Sequence, residues 1–107
     1  MEIRQGNTQE IGKFQLFDAG NDGEEILVVE LDGKIVAYAQ VTGHIIYFLE
    51  SEARGAGSAL VSYLKAREGY LVAKAVEETA KGFWMKQGFQ FQVADGFGGE
   101  DWDWDWE

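Results

Sequence analysis

With 107 residues, no cysteine and a net charge of −10, the chain has room for one hydrophobic core and none for a disulfide framework or a thiolate metal site, and no metal is expected. Its 46% hydrophobic content argues for a folded globule over disorder, and the absence of a large basic face argues against nucleic acid. No apolar run reaches the length of a membrane span and "MEIRQGNTQE" lacks the apolar core of a signal peptide, so a cytoplasmic protein with no membrane partner is expected.

The first 25 residues are weakly patterned, and "TQEIGKFQLF" fits a strand or a short helix. "EEILVVEL" is a short apolar run rich in β-branched residues and predicts a strand at about 26–31. Asp32-Gly33 is a two-residue hairpin signal, "KIVAYAQV" the second strand, Thr42-Gly43 the next turn and "HIIYFLE" the third strand. The period then changes. Leu60, Val61 and Leu64 form a stripe at helical spacing over 57–68, Lys65 and Arg67 suit the negative end of the helix dipole, and Gly69 suits a left-handed cap. "YLVAKAV" predicts a fourth strand, parallel to the third because a helix lies between them. Glu77 and Glu78 open a second helix with Ala80, Phe83 and Trp84 as its apolar stripe and Gly88 as its close. "FQFQV" alternates as a half-buried strand should, and "DGFGG" is a loop. The order β-β-β-α-β-α-β predicts one α/β domain over 1–107, of the α+β type, with a mixed, mostly antiparallel sheet flanked by helices.

The charge is uneven. Six acids and no base lie in 95–107; without them the chain has 13 acids and 9 bases, a net of −4. From Arg54 to Phe89 there are six bases against three acids, a net of +3. The glycine-rich turn "RGAG" at 54–57 falls in this basic part, where it passes from strand to helix. Such a turn aims several backbone N–H groups at one point, the helix dipole adds positive potential, and glycine lets a ligand approach the main chain. A phosphate site and a plain turn both fit the residues alone.

"EARGAGSAL", a strand, and then "AKGFWMKQGF" resemble the GNAT superfamily of acetyl-CoA-dependent N-acetyltransferases, over about 26–94. Two registers fit the family's loop. One uses Arg54, Gly57 and Ala59 and supplies the basic residue; the other uses Gly55 and Gly57, puts Glu52 in the basic position, and aligns Ser58, Ala59 and Leu60 better. The resemblance implies that the amides around Arg54, Gly55, Ala56, Gly57, Ser58 and Ala59 hold the coenzyme A pyrophosphate, that the third strand near Tyr47 and Leu49 pairs with the pantetheine arm, and that the strand from Tyr70 splays away to admit it. Three departures stand out. The Phe-Tyr pair usual before "GF" is Phe83-Trp84, and an indole cannot give the proton that this tyrosine often gives to the leaving thiolate. A common asparagine falls on Glu77. The acceptor region is reduced to residues 1–25.

Direct acetyl transfer from acetyl-CoA to an amine, without a covalent enzyme intermediate, requires a proton acceptor for the amine, a polarised thioester carbonyl and a thiolate that can leave. Glu50, Glu52 or His44 could serve as the base; each also reads as a surface residue. Tyr47 or Tyr63 could serve as the acid, and both also read as core aromatics. Trp84 is expected beside the cofactor slot. In the tail "EDWDWDWE", Trp102, Trp104 and Trp106 fall on one face of a strand and three aspartates on the other. A final strand with buried tryptophans and a frayed acidic end are both open; aspartates lining the groove favour a cationic amine acceptor, small or peptidic, and exposed tryptophans favour a homodimer. The second function class is a catalytically weakened coenzyme A binder or an interaction module that uses this tail.

Overall fold

Asp32 and Gly33 adopt φ of 53° and 79°, the paired positive values of a tight hairpin turn whose twist matches the strands it joins. That turn links β2 (Glu25–Leu31) to β3 (Lys34–Thr42), and a second turn through Gly43 (φ 56°) leads into β4 (Ile45–Ser51). The computed structural model describes residues 1–14, 25–94, 96 and 99–105. The remaining elements are β1 (Glu2–Gln5), α1 (Ala56–Glu68), β5 (Tyr70–Val76), a 3₁₀ turn at Glu78–Ala80, α2 (Lys81–Lys86), β6 (Gln90–Ala94) and β7 (Glu100–Asp105). All seven strands form one sheet in the order β1-β2-β3-β4-β5-β7-β6, with β4 and β5 its one parallel pair among the described residues. The expected mixed, mostly antiparallel architecture is therefore present.

α1 forms where the sequence places its stripe. Leu60, Val61 and Leu64 are fully buried against Leu27, Val29, Ala37 and Ala39 of β2 and β3, and Trp84 of α2 joins the same cluster. Each large side chain buried there contributes about 1.5–3 kcal/mol. Gly69 closes α1 at φ 74°, its N–H donating to the Lys65 carbonyl at 3.2 Å. The Lys65 ammonium in turn donates to the Gln87 carbonyl and stands 4.8 Å from the Trp104 ring centre, tying α1 to the end of α2 and to β7. The opposite face of the sheet carries a smaller cluster of Ile11, Phe14, Val28 and Tyr38.

Three expectations need correction or completion. The N-terminal stretch supplies β1, paired antiparallel with β2, and then turns through residues 8–13; the rest of "TQEIGKFQLF" lies outside the described residues. The second helix begins later than expected: Glu78–Ala80 make a 3₁₀ turn and the α-helix spans only Lys81–Lys86. β6 is exposed along its whole length, with Phe91 at 50% and Val93 at 54%, because it is an edge strand whose single neighbour is β7. The tail does form a strand. Trp102 is 8% exposed and Trp104 packs half-buried against the same core, while Trp106 lies outside the described residues.

Two arginines stitch distant segments together. Arg4 bridges Glu10 at 2.7 Å and Glu30 at 2.8 Å; Arg67 bridges Glu25 at 2.9 Å and Glu68 at 2.7 Å. The hydrogen bond from Arg4 holds the Glu10 carboxyl below the usual carboxylate range, and that from Arg67 does the same for Glu25. A carboxyl depressed in the folded state stabilises the fold above its unfolded pKa, and the gain is lost as pH falls through the folded value. The urea midpoint should therefore decline as pH drops below about 4, and Arg67→Met should flatten that decline. An unchanged pH profile in the variant would remove the arginine from the account.

Candidate functional site

Two bulges open the sheet between β4 and β5. On β4, Gln40 of β3 faces Phe48 while Val41 faces Ile46, which leaves Tyr47 as the extra residue. On β5, Ala73 faces Trp102 and Val76 faces Glu100, so Lys74 and Ala75 together stand against Asp101. Ala75 takes φ 54°, a left-handed conformation uncommon outside glycine. The parallel pairing of β4 with β5 is confined to Ile45↔Val72 and Ile46↔Ala73. Beyond it the strands diverge, as expected for the strand that begins at Tyr70, and a cavity of about 190 Å³ lies between them, lined by Tyr47, Phe48, Leu49, Lys74, Ala75 and Glu77 among others. A second, of about 350 Å³, lies beside it at the start of α1 and is lined by Ser51, Gly55, Gly57 and Ser58 among others. The two share Leu49, Ala80 and Trp84, so they adjoin, and together they are called the cleft.

At its outer end the cleft meets unused main-chain donors. Gly55, at φ 86°, turns the chain into α1. The N–H of Ala56 donates to the Ala53 carbonyl at 3.1 Å and that of Ala59 to the Gly55 carbonyl at 3.0 Å. Among the described residues, the N–H groups of Gly57 and Ser58 have no partner. A helix start leaves such donors over, and the dipole makes the place attractive to anions. A Cβ on Gly57 would stand 3.4 Å from both Leu49 Cδ2 and Phe83 Cε1, so glycine keeps the floor open at this point. The Ser58 hydroxyl accepts from Gln87 Nε2 at 2.9 Å, which fixes the turn against the end of α2.

The sequence candidates divide in two. Tyr47, Leu49, Gly55, Gly57, Ser58 and Trp84 line the cleft. Arg54 is exposed outside its lining, Ala56 is buried in the core beneath the turn, and Ala59 sits half-buried on α1. Both glycines of the second loop register thus line the cleft, whereas the arginine of the first does not. The proposed bases lie elsewhere. Glu50 accepts a hydrogen bond from the Tyr38 hydroxyl at 2.9 Å. Burial, reinforced by that contact, pushes the Tyr38 phenol well above its ordinary range and keeps it a neutral donor. Glu52 pairs with Lys13 at 3.1 Å and with Lys34 at 3.9 Å. His44 stacks on Tyr70 at 5.3 Å, and its carbonyl accepts from the Val72 N–H at the closed end of the β4–β5 opening. Tyr63 is exposed on α1, with Arg67 5.8 Å from its ring. Sequence reasoning missed Lys74 and Ala75 as cleft residues; "AKA" inside an apolar run carries no local mark of a bulge.

No protein-family model matches the sequence, and no curated protein matches it. Solved structures do. The Bacillus subtilis N-acetyltransferase YlbP, crystallised in complex with coenzyme A, is similar at a TM-score of 0.76 and 18% identity, over 97% of this chain and 95% of that one. The apo-form of YjaB from Escherichia coli, solved in solution, is similar at a TM-score of 0.58 and 23% identity, over 73% of this chain and 61% of that one. The fold is GNAT-like.

Proposed function

We propose that the protein binds acetyl-CoA in the β4–β5 cleft and transfers the acetyl group directly to an amine, as a small member of the GNAT superfamily. One observation carries this: the cavity where β4 and β5 part adjoins a second at a helix start whose Gly57 and Ser58 N–H groups have no partner among the described residues. The likeness to YlbP supports it, since that protein was crystallised with coenzyme A.

The residues fit the ligand's chemistry. The N–H groups of Gly57 and Ser58 would take the diphosphate at the positive end of the α1 dipole. Tyr47 and Leu49, on a strand edge that β5 has left, would hold the pantetheine arm. Bound acetyl-CoA supplies an acyl thioester that an amine can attack. Leu49, Ala80 and Trp84 give the middle of the cleft an apolar lining. Glu77 is the one carboxylate among the described residues lining the inner cavity and takes over from Glu50 and Glu52 as proton acceptor.

One observation favours a second reading, a weakened coenzyme A binder. Trp84 is 5% exposed and packs edge-on against Phe83 and Phe89 at 5.0 and 4.8 Å, and an indole, which cannot supply a proton, thus stands where the resemblance expects a phenol. The buried setting of Trp102 speaks against a tail that turns this tryptophan towards a partner.

Saturating acetyl-CoA should raise the melting temperature, by the equivalent of about 2.7 kcal/mol at a hundred times its dissociation constant. Thiol release with a panel of amines then separates enzyme from binder. A melting point unmoved by millimolar acetyl-CoA would sink both readings.

A further inference from the structure

The bulge on β5 does not hold itself. Ala75 sits at φ 54°, where a Cβ costs energy that glycine would not incur, and it stands where β5 has lost its register with β7. The residue facing this defect is Asp101. Its Oδ1 accepts from the Ala75 N–H at 3.3 Å and its Oδ2 from the Lys74 ammonium at 2.8 Å, with the carboxylate side chain 15% exposed. One carboxylate thus takes both residues of the bulge, a main-chain donor of one and the side chain of the other. Both line the inner cavity.

From this we infer that Asp101 is a positioning residue for the cleft: its carboxylate pins Lys74 and Ala75 in the bulged conformation that keeps β5 away from β4. The inference rests on the reading that coenzyme A occupies that opening. The reasoning follows from register. Without the bulge, β5 would continue its regular pairing with β7 past Ala73, and only the Tyr47 bulge of β4 would be left to part the two strands. A left-handed alanine persists where its surroundings over-determine it. Here a hydrogen bond to the bulged amide and an ion pair to the preceding side chain do so together. Asp101 lies in the acidic tail, whose aspartates read from the sequence as a solvated or groove-facing row. Asp103 differs from it, accepting from Gln92 Nε2 at 2.8 Å on the neighbouring edge strand, away from the cleft.

Coenzyme A titrations of three variants test this. Asp101→Ala should weaken binding about tenfold, the scale of losing charge-assisted hydrogen bonds that hold a binding conformation. Asp101→Asn, which still offers an oxygen to the Ala75 N–H, should stay within about threefold of the native chain. The double variant Asp101→Ala/Ala75→Gly should recover most of the lost affinity, because glycine holds φ above zero without a clamp. Glycine at a left-handed position also relieves strain in the fold, so melting curves are read beside the titrations, and affinity that changes among variants of equal melting temperature marks positioning rather than folding. Native affinity in Asp101→Ala, or a double variant no better than the single one, overturns the inference. If the native chain binds no coenzyme A, the transferase reading fails separately, and hydrogen exchange at the Ala75 amide decides: exchange at least about tenfold faster in Asp101→Ala than in the native chain sustains the clamp, and equal rates overturn it.

Discussion

Ser58→Asp is expected to weaken coenzyme A binding by about 100-fold while the unliganded protein melts no lower than before. The two effects have opposite signs because they share one cause. α1 has no acidic residue in its first turn, so an added carboxylate there meets the positive end of the dipole and contributes about 0.3–1 kcal/mol to the fold. The same carboxylate can keep the hydrogen bond now given by Gln87 Nε2 to the Ser58 hydroxyl at 2.9 Å. A diphosphate bound to the Gly57 and Ser58 amides would face that charge at close range. At about 5 Å and an effective dielectric constant near 20, two unit charges repel by about 3 kcal/mol, which is about two orders of magnitude in affinity. Ser58→Asn has nearly the same shape without the charge and should lose less than about tenfold. Calorimetric titration with coenzyme A, beside melting curves without ligand, reads both quantities. Equal affinities for the aspartate and asparagine variants would mean that no phosphate approaches this turn.

How far the sequence reaches depends on whether a feature has a local cause. Asp32-Gly33 is legible because a turn with two positive φ values selects its residues directly. So are Gly69 and the Leu60, Val61 and Leu64 stripe, since cap and periodicity are properties of adjacent residues. β1 escapes because "EIRQ" is too short and too polar to announce itself; it becomes a strand by pairing with β2 and by the bridge from Arg4 to Glu30. The site divides along the same line. Gly55, Gly57 and Ser58 are named by their motif, and Tyr47 and Leu49 by their place on β4. Glu50 and Glu52 look available in the sequence, whereas in the structure one accepts from Tyr38 and the other pairs with Lys13, contacts made across 12 and 39 positions of the chain. The bulges at Tyr47 and at Lys74-Ala75 arise from registers that differ by one residue on either side of a strand. The two sides of the β5–β7 mismatch lie far apart in the chain, and although both sides of the Tyr47 mismatch fall within residues 40–48, no residue type there marks the extra position.

Trp102→Ala should be the most destabilising of the tail substitutions, costing about 3–5 kcal/mol. Measured against the ~5–15 kcal/mol that holds a domain of this size, the loss should lower the melting temperature by more than about 10 °C. The indole sits between Ala73 of β5 and Phe91 of β6 in register, meets the Phe91 ring edge-on at 6.2 Å, and donates from Nε1 to Glu100 at 3.1 Å. Its truncation leaves a hole in the main core and an acceptor without its donor. Asp103→Asn, one position on and on the other face, should change stability by no more than about 0.5 kcal/mol, since its contact is with exposed Gln92. The contrast follows from a period of two, in which neighbouring residues of a strand face core and solvent in turn. It also follows from where the strand lies. β7 sits between β5 and β6, so β6 has no other neighbour in the sheet and β5 would lose its partner along 70–76. A loose acidic end would tolerate both changes alike, and melting curves of the two variants within a few degrees of each other would show that the tryptophan face of the tail carries no core. A wide gap means that the last strand of the chain is an interior strand of the sheet, and that Asp101, one residue from Trp102, is held rigidly enough to act on the bulge it faces.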